Sequence, residues 1–189
     1  MRISGGLARG IPLQIPKGVD LRPATEANRE RLFSSLGEKV LETRFLDLCA
    51  GTGSYGLEAL SRGAKDGVFV ENNRKAVMSL KNNLLKVRKS AGLSDEAGSI
   101  KNREVTEYLK SEIAQFNLIF IDPPYPLFPK LGPLIFRIIR DKKILLKSGL
   151  LIHEAPPEAS IEFPGWSLIR TIGKSKKGSP HFRLFRLED

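Results

Sequence analysis

Two short runs in the sequence carry residue types that could do chemistry. The first, Asp47-Leu48-Cys49-Ala50-Gly51-Thr52-Gly53-Ser54-Tyr55-Gly56, is a glycine-rich turn between an apolar run and a helical one. Glycines let a backbone come close to a ligand and present its N–H groups. Asp47 can accept hydrogen bonds from a cation such as an amino-acid ammonium. Glu71, at the end of the next apolar run, can take both hydroxyls of a ribose. Ala50, Gly51, Thr52, Gly53 and Asn72 complete this set of candidate cofactor contacts. The run Gly51-Thr52-Gly53-Ser54-Tyr55-Gly56 is also a literal G-x-G-x-x-G, with Glu71 at the distance expected of a dinucleotide fold. Asp47 tilts the choice, because a carboxylate ahead of the glycines is useless to a pyrophosphate and suits the methionine part of S-adenosylmethionine. That cofactor is favoured over NAD and over a turn that binds nothing.

The second run, Asp122-Pro123-Pro124-Tyr125, directly follows the most apolar stretch of the chain, Asn117 to Asp122. An exocyclic amine on guanine or adenine is a poor nucleophile, since its lone pair is delocalised into the ring. A carboxylate and a backbone carbonyl that both accept from the amine hold the nitrogen out of conjugation and aim its lone pair. Two prolines stiffen the loop so that the Pro123 carbonyl can point inward, and Tyr125 can stack on a base taken out of its helix. Alone, Asp-Pro-Pro is equally well a rigid end to a strand; paired with the upstream glycine loop it points to methyl transfer onto a nucleobase.

The elements that must position these runs follow from periodicity. From Arg44 onward, short apolar runs alternate with amphipathic stretches, the mark of a parallel α/β sheet. Strands are expected over Phe45–Leu48, Gly67–Glu71, Ile100–Val105, Asn117–Asp122, Gly149–Glu154, Ser167–Ile172 and Phe182–Arg186. Helices are expected over Leu57–Arg62, Arg74–Lys89, around Tyr108 and over Leu131–Arg140, with an earlier one capped by Thr25 and stopped by Gly37. Both chemical runs then leave the C-terminal edge of the sheet, where doubly wound folds bind ligands. Residues 1–43 form a small extension with two short extended pieces around Gly5, Gly6 and Gly10, and residues 44–189 form the catalytic domain.

Lys and Arg number 31 against 21 Asp and Glu, a net charge of +10 that favours a polyanionic partner, nucleic acid first. The single Cys49 excludes an internal disulfide and, lacking further Cys or His neighbours, a structural zinc site; no metal is expected. It is read as small core filler. No apolar run approaches the length of a membrane span, so a cytoplasmic, membrane-free protein, acting as a monomer, is expected. Arg2, Arg9, Arg22 and Arg29, with Lys176 and Lys177, are candidate phosphate contacts. The cations of 74–89 are read as solvent-facing, and His153 and His181 as structural.

Over nearly its full length the chain resembles the RsmD-type 16S rRNA guanine-N2 methyltransferases, a branch of the class I methyltransferases. The resemblance runs through Asp47 to Ala64, Ile3-Ser4-Gly5-Gly6 with Arg9-Gly10, and Leu21-Arg22-Pro23 followed by Arg29-Glu30 and Leu32-Phe33-Ser34. It implies a Rossmann-like, doubly wound sheet of seven mostly parallel strands with an antiparallel last strand. It also implies N2-methylation of a guanine in 16S rRNA of an assembling small subunit. Carried over, Asp47, Gly51 and Gly53 contact the methionine of S-adenosylmethionine, Glu71 its ribose, and Asp122 to Tyr125 the base. Glu104-Val105 stand where the family often has Asn or Asp followed by Ala, at the adenine contact. Cys49 stands where the family more often has an aromatic residue, and Ala24 interrupts the usual Arg-Pro-Thr triplet. A DNA adenine-N6 methyltransferase, which needs a recognition domain for which this chain has little room, and a non-catalytic RNA-binding module remain as alternatives.

Overall fold

The computed structural model describes residues 1–16, 18, 25–155, 162–173 and 181–188. Arg22, Lys176 and Lys177 lie outside the described residues. Seven strands form one sheet: β1 (Arg44–Leu48), β2 (Asp66–Val70), β3 (Ser99–Lys101), β4 (Phe116–Ile121), β5 (Leu145–Ala155), β6 (Trp166–Ile172) and β7 (His181–Leu187). Their order is β3-β2-β1-β4-β5-β7-β6. Strands β1 to β5 pair in parallel, and β7 inserts antiparallel between β5 and β6.

The helices are α1 (Glu26–Leu36), α2 (Ser54–Ser61), α3 (Arg74–Ala91), α4 (Val105–Ser111) and α5 (Phe128–Asp141). They cover both faces of the sheet, as strand alternation requires when both faces are buried. On one face Phe45, Leu118, Phe120 and Ile152 pack with Leu32 and Phe33 of α1, and with Leu57, Leu60, Leu80 and Leu84 of α2 and α3. On the other, Leu46, Val68, Ile119 and Leu151 pack with Leu109, Ile135, Phe136 and Ile139 of α4 and α5.

Local signals explain the boundaries. Thr25 caps α1 by accepting from the Asn28 N–H at 3.2 Å, and Gly37 ends it at φ 54. Asn73 caps α3 by accepting from the Lys75 and Ala76 N–H groups, and Gly92 ends it in the left-handed region. Four expectations need correction. Helix α2 begins at Ser54 rather than Leu57, directly on the glycine loop. Strand β3 stops at Lys101, and Val105 opens α4 with its side chain in the core. Helix α5 begins at Phe128, because Pro129 in its first turn favours a helix start. Strand β5 is longer than expected, running from Leu145 to Ala155.

The N-terminal segment docks rather than standing apart. Arg2 and Pro12 form an antiparallel bridge, and Ile3, Ala8 and Leu13 join the first hydrophobic cluster. Glu58 of α2 is fully buried and accepts from the Ser4 N–H, the Ser4 hydroxyl and the Gly5 N–H at 2.7–2.9 Å. Arg62 donates to the same carboxylate at 2.9 Å. The Leu7 N–H donates to the Ser61 carbonyl at 2.7 Å. At Gly6, with φ 78, a Cβ would lie 1.9 Å from that carbonyl oxygen. The Ser4-Gly5-Gly6 sequence is therefore a backbone-on-helix joint whose Gly6 position has room for nothing larger than glycine.

Candidate active site

Strand order reverses between β1 and β4, and the loops that follow these two strands flank the reversal. Leu48 pairs with Ile121, so Cys49 and Asp122 leave neighbouring strands at the same rim. The register continues to β5, where Ile121 pairs with His153 and places Glu154 beside Asp122. Asp47, Asp122 and Glu154 share the alternation of Phe45, Phe120 and Ile152, on the face covered by α1 and α2. In such a topology the crevice at the reversal is where a ligand enters.

The glycine loop is held by the two carboxylates expected to meet the cofactor. The Gly51 N–H donates to Glu71 Oε2 at 2.8 Å and the Asn73 N–H to Glu71 Oε1 at 2.7 Å. The Gly56 N–H donates to Asp47 Oδ2 at 2.9 Å. Gly51 and Gly53 take φ 56 and φ 82, the left-handed region that favours glycine. At Gly56 a Cβ would meet Phe69 and Phe45 ring carbons at 2.4 and 2.5 Å, so the helix can approach the sheet only through glycine. Ala50 and Thr52 are buried in this turn. Asn72 donates from Nδ2 to Glu104 Oε2 at 2.7 Å, which ties the end of β2 to the start of α4. Thus Asp47, the 50–53 loop, Glu71, Asn72 and Glu104 come together, with Val105 behind them in the core.

A carboxylate can accept about four hydrogen bonds, so Asp47 and Glu71 keep acceptor capacity after holding the loop. Asp47 is 1% exposed. Burial, set against the Gly56 N–H and reinforced by the Glu71 charge, pushes its carboxyl up to about 7. A buried acid of this kind, beside a second carboxylate, is satisfied by a cationic ligand. The set of acceptors therefore fits a molecule that carries an ammonium near its hydroxyls.

Asp122 is half-buried, Pro123 buried, Pro124 exposed and Tyr125 half-buried at the start of a short 3-10 turn. No hydrogen bond to Asp122 occurs among the described residues. Removal from water, with Glu154 and Asp47 nearby, raises its carboxyl well above the usual range. Cys49 packs against the second cluster, and burial together with the Glu71 and Asp122 charges raises its thiol strongly, which excludes a thiolate. His153 stacks on Phe128 with ring centroids 3.9 Å apart. Burial and the nearby Arg183 hold it down to about 3, which keeps the ring neutral.

Among the basic candidates, Arg2 is exposed and pairs with Glu26 at 2.9 Å, and Arg9 is exposed. Arg29 is a correction: it is 0% exposed, 3.6 Å from buried Glu58, and donates to the Arg2 carbonyl. Charge-pairing inside the core, not phosphate contact, accounts for it. Two rim residues were given no role by the motifs. Tyr55 of α2, stacked on Phe120 at 5.7 Å, donates its hydroxyl to Glu154 Oε2, and Glu154 is 6% exposed. The visible signal was a carboxylate at the inner end of an otherwise apolar strand.

No helix among the described residues is long and apolar enough to cross a membrane. A family described as Conserved hypothetical protein 95 matches residues 1–186. The "Ribosomal RNA small subunit methyltransferase D" of Escherichia coli K12 is 31% identical, with 100% of this chain and 90% of that protein covered. The "Putative rRNA methyltransferase YlbH" of Bacillus subtilis 168 is 33% identical, over 90% and 91%. A solved structure described as "Putative methyltransferase yhhF from Escherichia coli" superposes with a TM-score of 0.84 at 28% identity, over 100% and 98%. With its seven-stranded class I sheet and full-length match, the chain belongs to this family, that of the RsmD-type ribosomal RNA methyltransferases.

Proposed function

We propose that the chain methylates the exocyclic N2 amine of one guanine in 16S rRNA, using S-adenosylmethionine, while the small subunit assembles. The supporting observation is that Asp122 leaves β4 directly beside the strand that carries the glycine loop, with no described hydrogen-bond partner of its own. Asp47 and the Gly51–Gly53 turn would hold the methionine part, Glu71 the ribose, and Asn72, Glu104 and Val105 the adenine side. When bound, S-adenosylmethionine supplies an already electrophilic methyl group, so strong base catalysis is unnecessary. Asp122 and the Pro123 carbonyl accept from the amine and orient its lone pair, and Tyr125 stacks on the base. Positioning carries most of the rate in such a site.

The test is incubation with labelled S-adenosylmethionine and immature small subunits, followed by mapping of the modified nucleotide. Label is expected in N2-methylguanine. Label confined to adenine overturns the base assignment, and a calorimetric titration with no cofactor binding overturns catalysis.

A further inference from the structure

We infer that Glu154 selects the base, its free oxygen accepting the guanine N1–H while Asp122 holds the neighbouring N2 amine; this rests on the methylation reading above. Guanine carries N1–H and N2–H₂ side by side on its Watson–Crick edge, two adjacent donors. Adenine carries at N1 a lone pair. A pair of acceptors on adjacent strands, which run ~4.8 Å apart, suits the first edge and repels the second.

The register supplies such a pair. Ile121 opposite His153 puts Asp122 and Glu154 side by side at the rim, on the same face of the sheet. Glu154 is 6% exposed, and the described hydrogen bonds engage only its Oε2, through Tyr55. Tyr55 is itself fixed by stacking on Phe120 and by edge contact with Phe182 at 6.0 Å. It therefore orients Glu154 and occupies one oxygen, which leaves Oε1 to the substrate. Burial raises the Glu154 carboxyl, while the Tyr55 hydroxyl and the buried Arg29 guanidinium work against that rise by favouring the ionised form. No comparable donor supports Asp122. Of the two, only Glu154 has a protein hydroxyl donating to it among the described residues.

The discriminating substrate is 2,6-diaminopurine, which keeps the 2-amino group but presents a lone pair at N1. Small-subunit RNA is prepared with guanine or with 2,6-diaminopurine at the methylated position, and kcat/KM is measured for each with labelled S-adenosylmethionine. The wild-type protein should prefer guanine by roughly 10- to 100-fold, the usual worth of a base-edge hydrogen-bond pair. Glu154→Gln, whose amide can donate to that lone pair while still accepting from Tyr55, should shrink the preference about tenfold or more, with cofactor affinity within a few-fold. An unchanged ratio in Glu154→Gln, or equal use of both bases by the wild type, overturns the inference. Equal use by the wild type overturns the inference even if the variant does not fold. Failure of the wild type to label N2 of guanine at all sinks the functional reading instead.

Discussion

Two carboxylates at the rim stand out for opposite reasons. Asp122 carries no described partner, so its removal should leave the fold and the cofactor loop intact. Asp122→Ala is expected to keep the S-adenosylmethionine Kd within a few-fold while kcat falls roughly 10²- to 10³-fold, as when one preorganised polar contact is lost. Calorimetry beside single-turnover methylation checks this, and turnover within a few-fold of wild type would remove Asp122 from the mechanism. Asp47 is a cost to the empty protein. Its carboxyl is raised from 3.8 to about 7, so the folded state binds more protons than the unfolded state between those values. Its contribution is fully present below pH ~4 and is lost as pH rises toward ~7, on the order of 4 kcal/mol for a rise of that size. Cofactor-free Asp47→Asn should therefore gain on wild type in urea midpoint as pH rises from about 4 to about 8, yet bind S-adenosylmethionine at least about tenfold more weakly for want of a charged acceptor. A constant gap across that range would mean that Asp47 does not titrate there. Asp47, Glu71 and Asp122 were legible because they stand at fixed places around glycine and proline turns. Arg29 and Glu154 were not, because burial of a charge depends on α1 crossing the sheet, which no local pattern encodes.

At the scale of elements, the alternation of apolar runs was enough to locate every strand of the sheet, and its errors lie at the ends of elements. Helix α2 begins three residues ahead of the expected Leu57, although Ser54, Tyr55 and Gly56 are poor helix formers. Tertiary packing overrides propensity there, since Gly56 admits Phe45 and Phe69 and Tyr55 stacks on Phe120. Strand β3 was overextended because Arg103 to Val105 carry no turn residue, although Asn102, which donates to the Glu71 and Asn72 carbonyls, ends the strand. The Ile3-Ser4-Gly5-Gly6 opening was recognisable by resemblance but its purpose was not, since the surface it fits is the far end of α2. Gly6→Ala tests that joint: the added methyl would meet the Ser61 carbonyl, and φ 78 disfavours alanine. A loss of about 1–3 kcal/mol is expected, in line with overpacked sites, together with faster hydrogen exchange at Leu7 and Ala8. Wild-type exchange at these amides would show that the segment docks in another way.

The whole molecule carries a net charge of +10, and its fold divides those cations into groups with different work. Arg29 and Arg62 hold Glu58 and so secure the N-terminal segment. Arg88 donates to the Gly98 carbonyl at 2.6 Å and closes the turn after α3. Arg74, Lys75, Lys81, Lys86 and Lys89 face solvent on α3, where they contribute a field rather than a specific contact. Exposed Arg9 lies on the docked N-terminal segment and is not among the described ion pairs, so it is the arginine of that region best placed to meet a phosphate. RNA affinity should therefore fall steeply with salt, since each neutralised phosphate releases a counterion, whereas cofactor affinity, if the buried carboxylates set it as proposed, should change little. In filter-binding titrations across a salt series, Arg9→Ala should weaken RNA binding uniformly across sequences and reduce the slope of log K against log salt by about 1. A lysine at the same position should restore the slope, because phosphate neutralisation needs charge and not the guanidinium shape. If Arg9→Ala instead leaves the slope unchanged while RNA affinity drops, the residue supports the joint with α2 rather than the polyanion, and the phosphate track must run over another part of the surface.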